Sequence, residues 1–186
     1  MTWLARLPDG DPDPDRPARA PGTGTDWQRL AAIRPEAVEA LAGLVAAAWA
    51  ECDPVLLELA RLRTATLLRN RAELARRTAR AEAAGLTETK VAELAAWPSS
   101  PLFSARERAC LALTEQFVVD ANGVTDGQVA GVTEHLGPEG CYTFVQALSV
   151  LETFQRACLT LGVETVPDVD ELTATGATPT TPEELP

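Results

Sequence analysis

From Val55 to Ala84 the chain runs thirty residues without a glycine or a proline, and the run is rich in leucine, alanine and arginine. Good helix formers uninterrupted over that length predict one long helix, or two with a bend near Arg69-Asn70. The flanking residues agree. Asp53-Pro54 is an N-cap followed by a proline at the first helical position, and Gly85 fits the left-handed residue that closes a helix. Similar signals divide the rest of the middle. Pro35 starts a helix that reaches about Trp49. Thr87 caps a short one that ends before Trp97-Pro98. Ser104-Ala-Arg-Glu107 is a capping box opening a helix through Val119, and Thr125-Asp-Gly-Gln128 is a second box leading to Gly137. Pro138 begins a helix of roughly two dozen residues that ends near Gly162.

Apolar positions in these segments recur at helical spacing. Leu111, Phe117 and Val118 do so in one, and Phe144, Leu148, Leu151 and Phe154 in the last. No segment alternates apolar and polar residues in the two-residue period of a strand. The fold class is therefore all-α, a helical bundle.

The bundle occupies residues 26–164. Residues 1–25 form an arm whose stretch from Pro8 to Thr25 carries many helix breakers and little to bury, and extended or flexible chain is expected there. Its Asp-x-Asp-x-Asp run lacks the glycine and distal glutamate of a calcium loop. Residues 165–186 form an acidic tail with five acids and no base, expected to be disordered and solvated. Trp27, Trp49 and Trp97 read as core or interface anchors.

The whole chain of 186 residues carries a net charge of −11. That balance argues against nucleic acid or an anionic membrane surface as a partner. The longest apolar stretch, Ala37 to Ala50, contains Glu39 and is too short to span a bilayer. No secretory signal opens the sequence, so a cytoplasmic, soluble protein is expected. One histidine, His135, excludes a multi-histidine metal site, and it sits where a helix C-terminus favours a cation. Cys52, Cys110, Cys141 and Cys158 are too far apart for a zinc knuckle or a CxxC pair, and read as reduced, buried small hydrophobes. No cofactor or metal is expected.

Three blocks bear a family likeness. Glu58 is followed by Leu-Ala-Arg-Leu-Arg-Thr-Ala at 59–65, then by Ala-Arg-Ala-Glu-Ala-Ala-Gly-Leu-Thr at 79–87. Residues 97–115 run Trp-Pro-Ser-Ser-Pro-Leu-Phe-Ser-Ala-Arg-Glu-Arg-Ala-Cys-Leu-Ala-Leu-Thr-Glu, and Phe154-Gln-Arg156 stands near the end of the last helix. Over roughly residues 34–163 the chain resembles the AhpD and carboxymuconolactone decarboxylase family. The resemblance implies an AhpD-like helical bundle that self-associates as a dimer, trimer or hexamer. Redox members carry a CxxCxxxH motif, and alignment on Gly85 places its three residues at Asn70, Glu73 and Arg77. None is retained. A thiol peroxidase needs one thiolate to attack the peroxide and a second thiol to resolve the sulfenic acid, and asparagine and glutamate do neither.

Glu73 suggests other chemistry. The decarboxylase-like side of the family favours a glutamate at that position with a histidine four residues on, where this chain has Arg77. Glu58 matches the glutamate that relays protons to the thiols in redox members. On one continuous helix, Asn70, Glu73 and Arg77 share a face. Two carboxylates in one secluded pocket have their proton affinities pushed apart, yielding an acid and a base. The expected catalytic set is Glu58, Glu73 and Arg77. Arg63, Asn70, Gln116 and Asp120 are the expected substrate-binding residues, with Arg77 or Arg63 holding a substrate carboxylate by a bidentate fork. Glu58 with Arg61, Glu73 with Arg77, and Gln116 with Asp120 also have the spacing of plain helix-surface pairs.

The leading expectation is a cofactor-independent decarboxylase, isomerase or lyase acting on a small carboxylate-bearing molecule. The alternatives are an alkylhydroperoxidase that uses Cys110 or Cys158, and a non-catalytic oligomeric binding protein.

Overall fold

The computed structural model describes residues 32–163, and these contain helices and no strand. The arm and the tail, with Trp27, lie outside the described residues. Seven α-helices follow in order: α1 Pro35–Glu51, α2 Pro54–Leu68, α3 Arg71–Leu74, α4 Ala79–Ala83, α5 Glu88–Ala92, α6 Ala105–Val119 and α7 Asp126–Leu161. Short 3₁₀ turns cover Glu93–Ala96 and Ala121–Gly123. No helix among the described residues is long and apolar enough to cross a membrane.

The sequence signals account for most boundaries. The Asp53 carboxylate accepts from the Val55 and Leu56 amides and opens α2. Ser104 with Glu107, and Thr125 with Gln128, form complete capping boxes. Gly85, Gly137 and Gly162 all take positive φ, a conformation that costs glycine no Cβ clash. Gly137 breaks α7 into two arms, and Pro138 opens the second one without losing a hydrogen bond that the break had not already removed.

α2 is the axis of the bundle. It packs against α3, α4, α6 and α7, while α1 packs on α7. Its residues enter all three apolar clusters. Leu57 joins Val45 and Trp49 of α1 with Leu151, Phe154 and Cys158 of α7. Leu56 and Ala60 meet Cys110 and Leu113 of α6 and Phe144 and Leu148 of α7. Leu59 and Leu62 meet Ala81, Leu86, Leu94, Trp97 and Phe103. Each such large side chain contributes about 1.5–3 kcal/mol by leaving water. A helix enclosed on every side carries no polar stripe, so the charged Glu58 and Arg61 within it need partners in the interior.

The uninterrupted run from Val55 to Ala84 is neither one helix nor two, but three. α2 stops where Arg69 adopts φ 57° and ψ 36° and turns its N–H back to the Ala65 and Thr66 carbonyls. Asn70 then caps the one-turn helix α3 by accepting from the Glu73 amide at 3.3 Å. Residues 75–78 leave the helical path, and Thr78 starts α4. A non-glycine residue in the left-handed region costs about 1–2 kcal/mol. Arg69 is exposed, so Arg69→Gly should raise the unfolding free energy by about 0.5–1 kcal/mol, the gain being reduced by the greater freedom of unfolded glycine. Urea denaturation measures this, and a loss of stability would refute the strain at Arg69.

Candidate functional site

The break after α2 folds the segment from Asn70 to Thr78 back over the middle of that helix as a strap. The strap brings Glu73 to Arg61, twelve residues earlier in the chain. Glu58, Arg61 and Glu73 are 0%, 2% and 1% exposed. The two carboxylates expected to share a secluded site do so, with a guanidinium between them.

All five N–H donors of Arg61 are used. Nε donates to Glu58 Oε2 at 2.8 Å, and one Nη2 hydrogen to Glu58 Oε1 at 2.6 Å, a two-pronged fork. The other Nη2 hydrogen goes to the Arg76 carbonyl at 3.0 Å. Nη1 donates to the Glu73 carbonyl at 2.8 Å and to the Glu73 carboxylate. Glu58 accepts twice more, from the Thr78 amide at 3.3 Å and the Thr78 hydroxyl at 3.1 Å. Four donors fill the lone-pair sites of that carboxylate. Arg76, at 22% exposure, closes the outer side of Glu73 with Nη2 3.3 Å from Oε1. Two carboxylates and two guanidiniums then sum to zero charge. Burial works to lower the proton affinity of Arg61, but the hydrogen bonds and charge of Glu58, then of Glu73, outweigh it and hold the guanidinium protonated above its ordinary value.

The other expected site residues are engaged elsewhere. Because α3 ends at Leu74, Arg77 does not share a helical face with Asn70 and Glu73. The i,i+4 pairing of Glu73 with Arg77 is replaced by the contact with Arg76. Arg77 forks onto Glu88 at 2.7 and 3.2 Å and donates to the Leu74 and Arg76 carbonyls. Arg63 binds Glu115 at 2.6 Å, and the same oxygen accepts the Trp97 indole N–H, so this trio ties α2 to α6. Gln116 and Asp120 bond one another, Nε2 to carbonyl at 2.8 Å. Asp120 then accepts from the Asn122 amide and closes the 3₁₀ turn, so the pair serves the end of α6. His135 is exposed and lies two residues before the Gly137 break, close to the end of the first arm of α7. Gln155 is buried and donates to the Arg61 carbonyl at 3.0 Å, while Arg156 pairs with Glu152.

Arg61 as the hub, and Thr78 and Arg76 as its supports, were not expected as site residues. The i,i+3 spacing of Glu58 and Arg61 signalled a pair, but the third member arrives only when the strap folds back.

The four thiols are free. Burial pushes Cys52 up to about 11, with Glu51 and Asp53 adding to the shift. Burial likewise pushes Cys110 and Cys158 up to about 12. A thiol held that high is almost wholly protonated at neutral pH, the opposite of the low-pKa thiolate that attacks a peroxide. Among the described residues no three metal-ligating side chains gather.

The all-α fold that carries this hub has a counterpart of known structure. A protein of unknown function from Agrobacterium tumefaciens, provisionally assigned as the antioxidant-defence protein AhpD, is 19% identical with a TM-score of 0.67, over 75% of this chain and 97% of that one. The fold is thus AhpD-like. The model of the carboxymuconolactone decarboxylase family matches residues 35–116, from α1 into α6. The chain is similar to this family over that stretch and carries no CxxCxxxH motif. No curated protein sequence matches it.

Proposed function

We propose that this protein is a non-catalytic member of its family, a homo-oligomeric binding protein in which the former reactive centre has become a charge-neutral lock. One observation carries the reading: all five donors of Arg61 are used within the protein, on the Glu58 and Glu73 carboxylates and on two strap carbonyls. A general base has to come within hydrogen-bond reach of the proton it removes. Glu58 is saturated and fully buried, and burial holds Cys52, Cys110 and Cys158 protonated at neutral pH, which works against the thiolate attack that peroxide reduction needs.

A second reading, a cofactor-independent acid–base enzyme for a small carboxylate-bearing molecule, has one observation in its favour. Arg76 is the partly exposed partner of Glu73. If Arg76 swung outward to take a substrate carboxylate, Glu73 would be released toward it as an acid or base.

Glu73→Gln separates the two. The substitution removes one charge from a buried network, and should lower stability by about 1–3 kcal/mol and the thermal midpoint by roughly 3–10 °C. The non-catalytic reading expects that loss together with no wild-type turnover of alkyl hydroperoxide with dithiol, and no CO₂ release or isomerisation in a panel of small carboxylic acids. Turnover that disappears in Glu73→Gln would establish the enzyme instead.

A further inference from the structure

We infer that Thr64, Asn70 and Gln155 frame an enclosed site for one small, neutral, hydrogen-bonding molecule between α2, the strap and α7. Thr64 Oγ1, Asn70 Nδ2 and Gln155 Oε1 have no protein partner among the described residues. The three side chains belong to residues only 1%, 2% and 1% exposed. Groups so deeply buried are almost always satisfied, by protein or by a bound molecule, because an unmet hydrogen bond there is costly.

The orientation of both amides is set by their other ends. Asn70 Oδ1 accepts from the Glu73 amide, which leaves its NH₂ as the free end. Gln155 Nε2 donates to the Arg61 carbonyl, which leaves its oxygen free. One orphan is therefore a donor and the other an acceptor. They lie along the same turn of α2. Gln155 is anchored at the Arg61 carbonyl, and Asn70 by its own N–H at the Ala65 carbonyl, 2.8 Å away. Those carbonyls are about 6 Å apart, four residues at 1.5 Å each. A free donor and a free acceptor on side chains anchored at neighbouring carbonyls, and not bonded to one another, suit a bridging molecule.

Thr64 belongs to the same place. It lies two turns after Leu57 on one face of α2, and Leu57 packs with Phe154 and Cys158 on either side of Gln155. Cys158, one turn beyond Gln155, feels the charges of Glu73 and Arg76, so this turn of α7 faces the strap.

The ligand chemistry follows from the groups. The molecule accepts from Asn70, donates to Gln155 and exchanges either bond with Thr64. The neighbouring charges already cancel, so an added ion would bring an unpaired charge into the interior. Water fits this description, and so does the hydroxyl of a small alcohol or the head of a primary amide. The site does not depend on whether the protein turns over a substrate.

A crystal structure of the full chain, grown and cooled without alcohols or amides, tests it. Density is expected within hydrogen-bond distance of both Asn70 Nδ2 and Gln155 Oε1. A single peak identifies water, and continuous multi-atom density identifies a small organic molecule retained from the cell. An ordered site without density overturns the inference. Thr64→Val gives a second readout, since it keeps the side-chain shape and deletes only the hydroxyl. A hydroxyl bonded to a resident molecule makes this variant melt several degrees lower. A higher midpoint, the result for an orphan replaced by a methyl group, overturns the inference too.

Discussion

Replacing Arg61 by methionine should destabilise this protein more than any other single change at the hub. Methionine fills much of the same space but leaves Glu58 and Glu73 buried without the cation between them. Removing one partner from a buried ion pair costs about 3–5 kcal/mol, chiefly because the charge left behind stays out of water. The variant also strands the Glu73 and Arg76 carbonyls, which now accept from the guanidinium. A midpoint lower by about 10 °C or more is expected in calorimetry. Arg61→Lys keeps the charge, yet offers three donors from a single point where five from a planar fork are used. It should fold and show an intermediate loss, which keeps the test decisive if the methionine variant does not fold. Both variants within about 1 kcal/mol of the wild type, the worth of an ordinary exposed pair, would refute the lock.

Alkaline pH should unfold the protein early, through its thiols. Burial raises Cys110 and Cys158 from an ordinary value near 9 to about 12. Below pH 9 both states keep these protons, and the thiols add no pH dependence. Above pH 9 the unfolded chain releases them while the folded protein still holds them, so stability falls as pH rises, until the folded thiols also ionise. The slope reaches about 1.4 kcal/mol per pH unit for each thiol. From pH 9 to pH 11 the two together remove on the order of 5 kcal/mol. Urea denaturation at stepped pH should show this decline, and Cys110→Ala combined with Cys158→Ala should flatten it, from a lower starting value because of the small cavities left behind. An equally steep decline in the double variant would sink the assignment to these thiols. The same protonation predicts slow reaction with an aromatic disulfide at pH 7 in the folded state, and a large acceleration on unfolding.

Much of the fold was legible because its signals act over three or four residues. The Ser104–Glu107 and Thr125–Gln128 boxes, the Asp53-Pro54 start and the glycines at 85, 137 and 162 each work locally, and each is found where the sequence placed it. The left-handed Arg69 carries no such signal. Arginine is a good helix former, and only the capping residue Asn70 beside it marks the possible bend, without saying which residue turns left-handed. The candidate site divides along the same line. Glu58, Glu73 and Asn70 were readable as neighbours, the first two meeting at Arg61 and the third capping the turn that holds Glu73. Arg77 was placed beside them only by extending α3 past its end.

Local chemistry was enough to establish an all-α chain, its main helix boundaries and the absence of a CxxC pair, because capping, backbone freedom and residue identity need no distant partner. What the two acidic groups touch was decided by the folded-back strap. Its carbonyls and Glu73 meet a guanidinium from a helix already enclosed by the core, and charges that deep persist only when every donor and acceptor among them is matched.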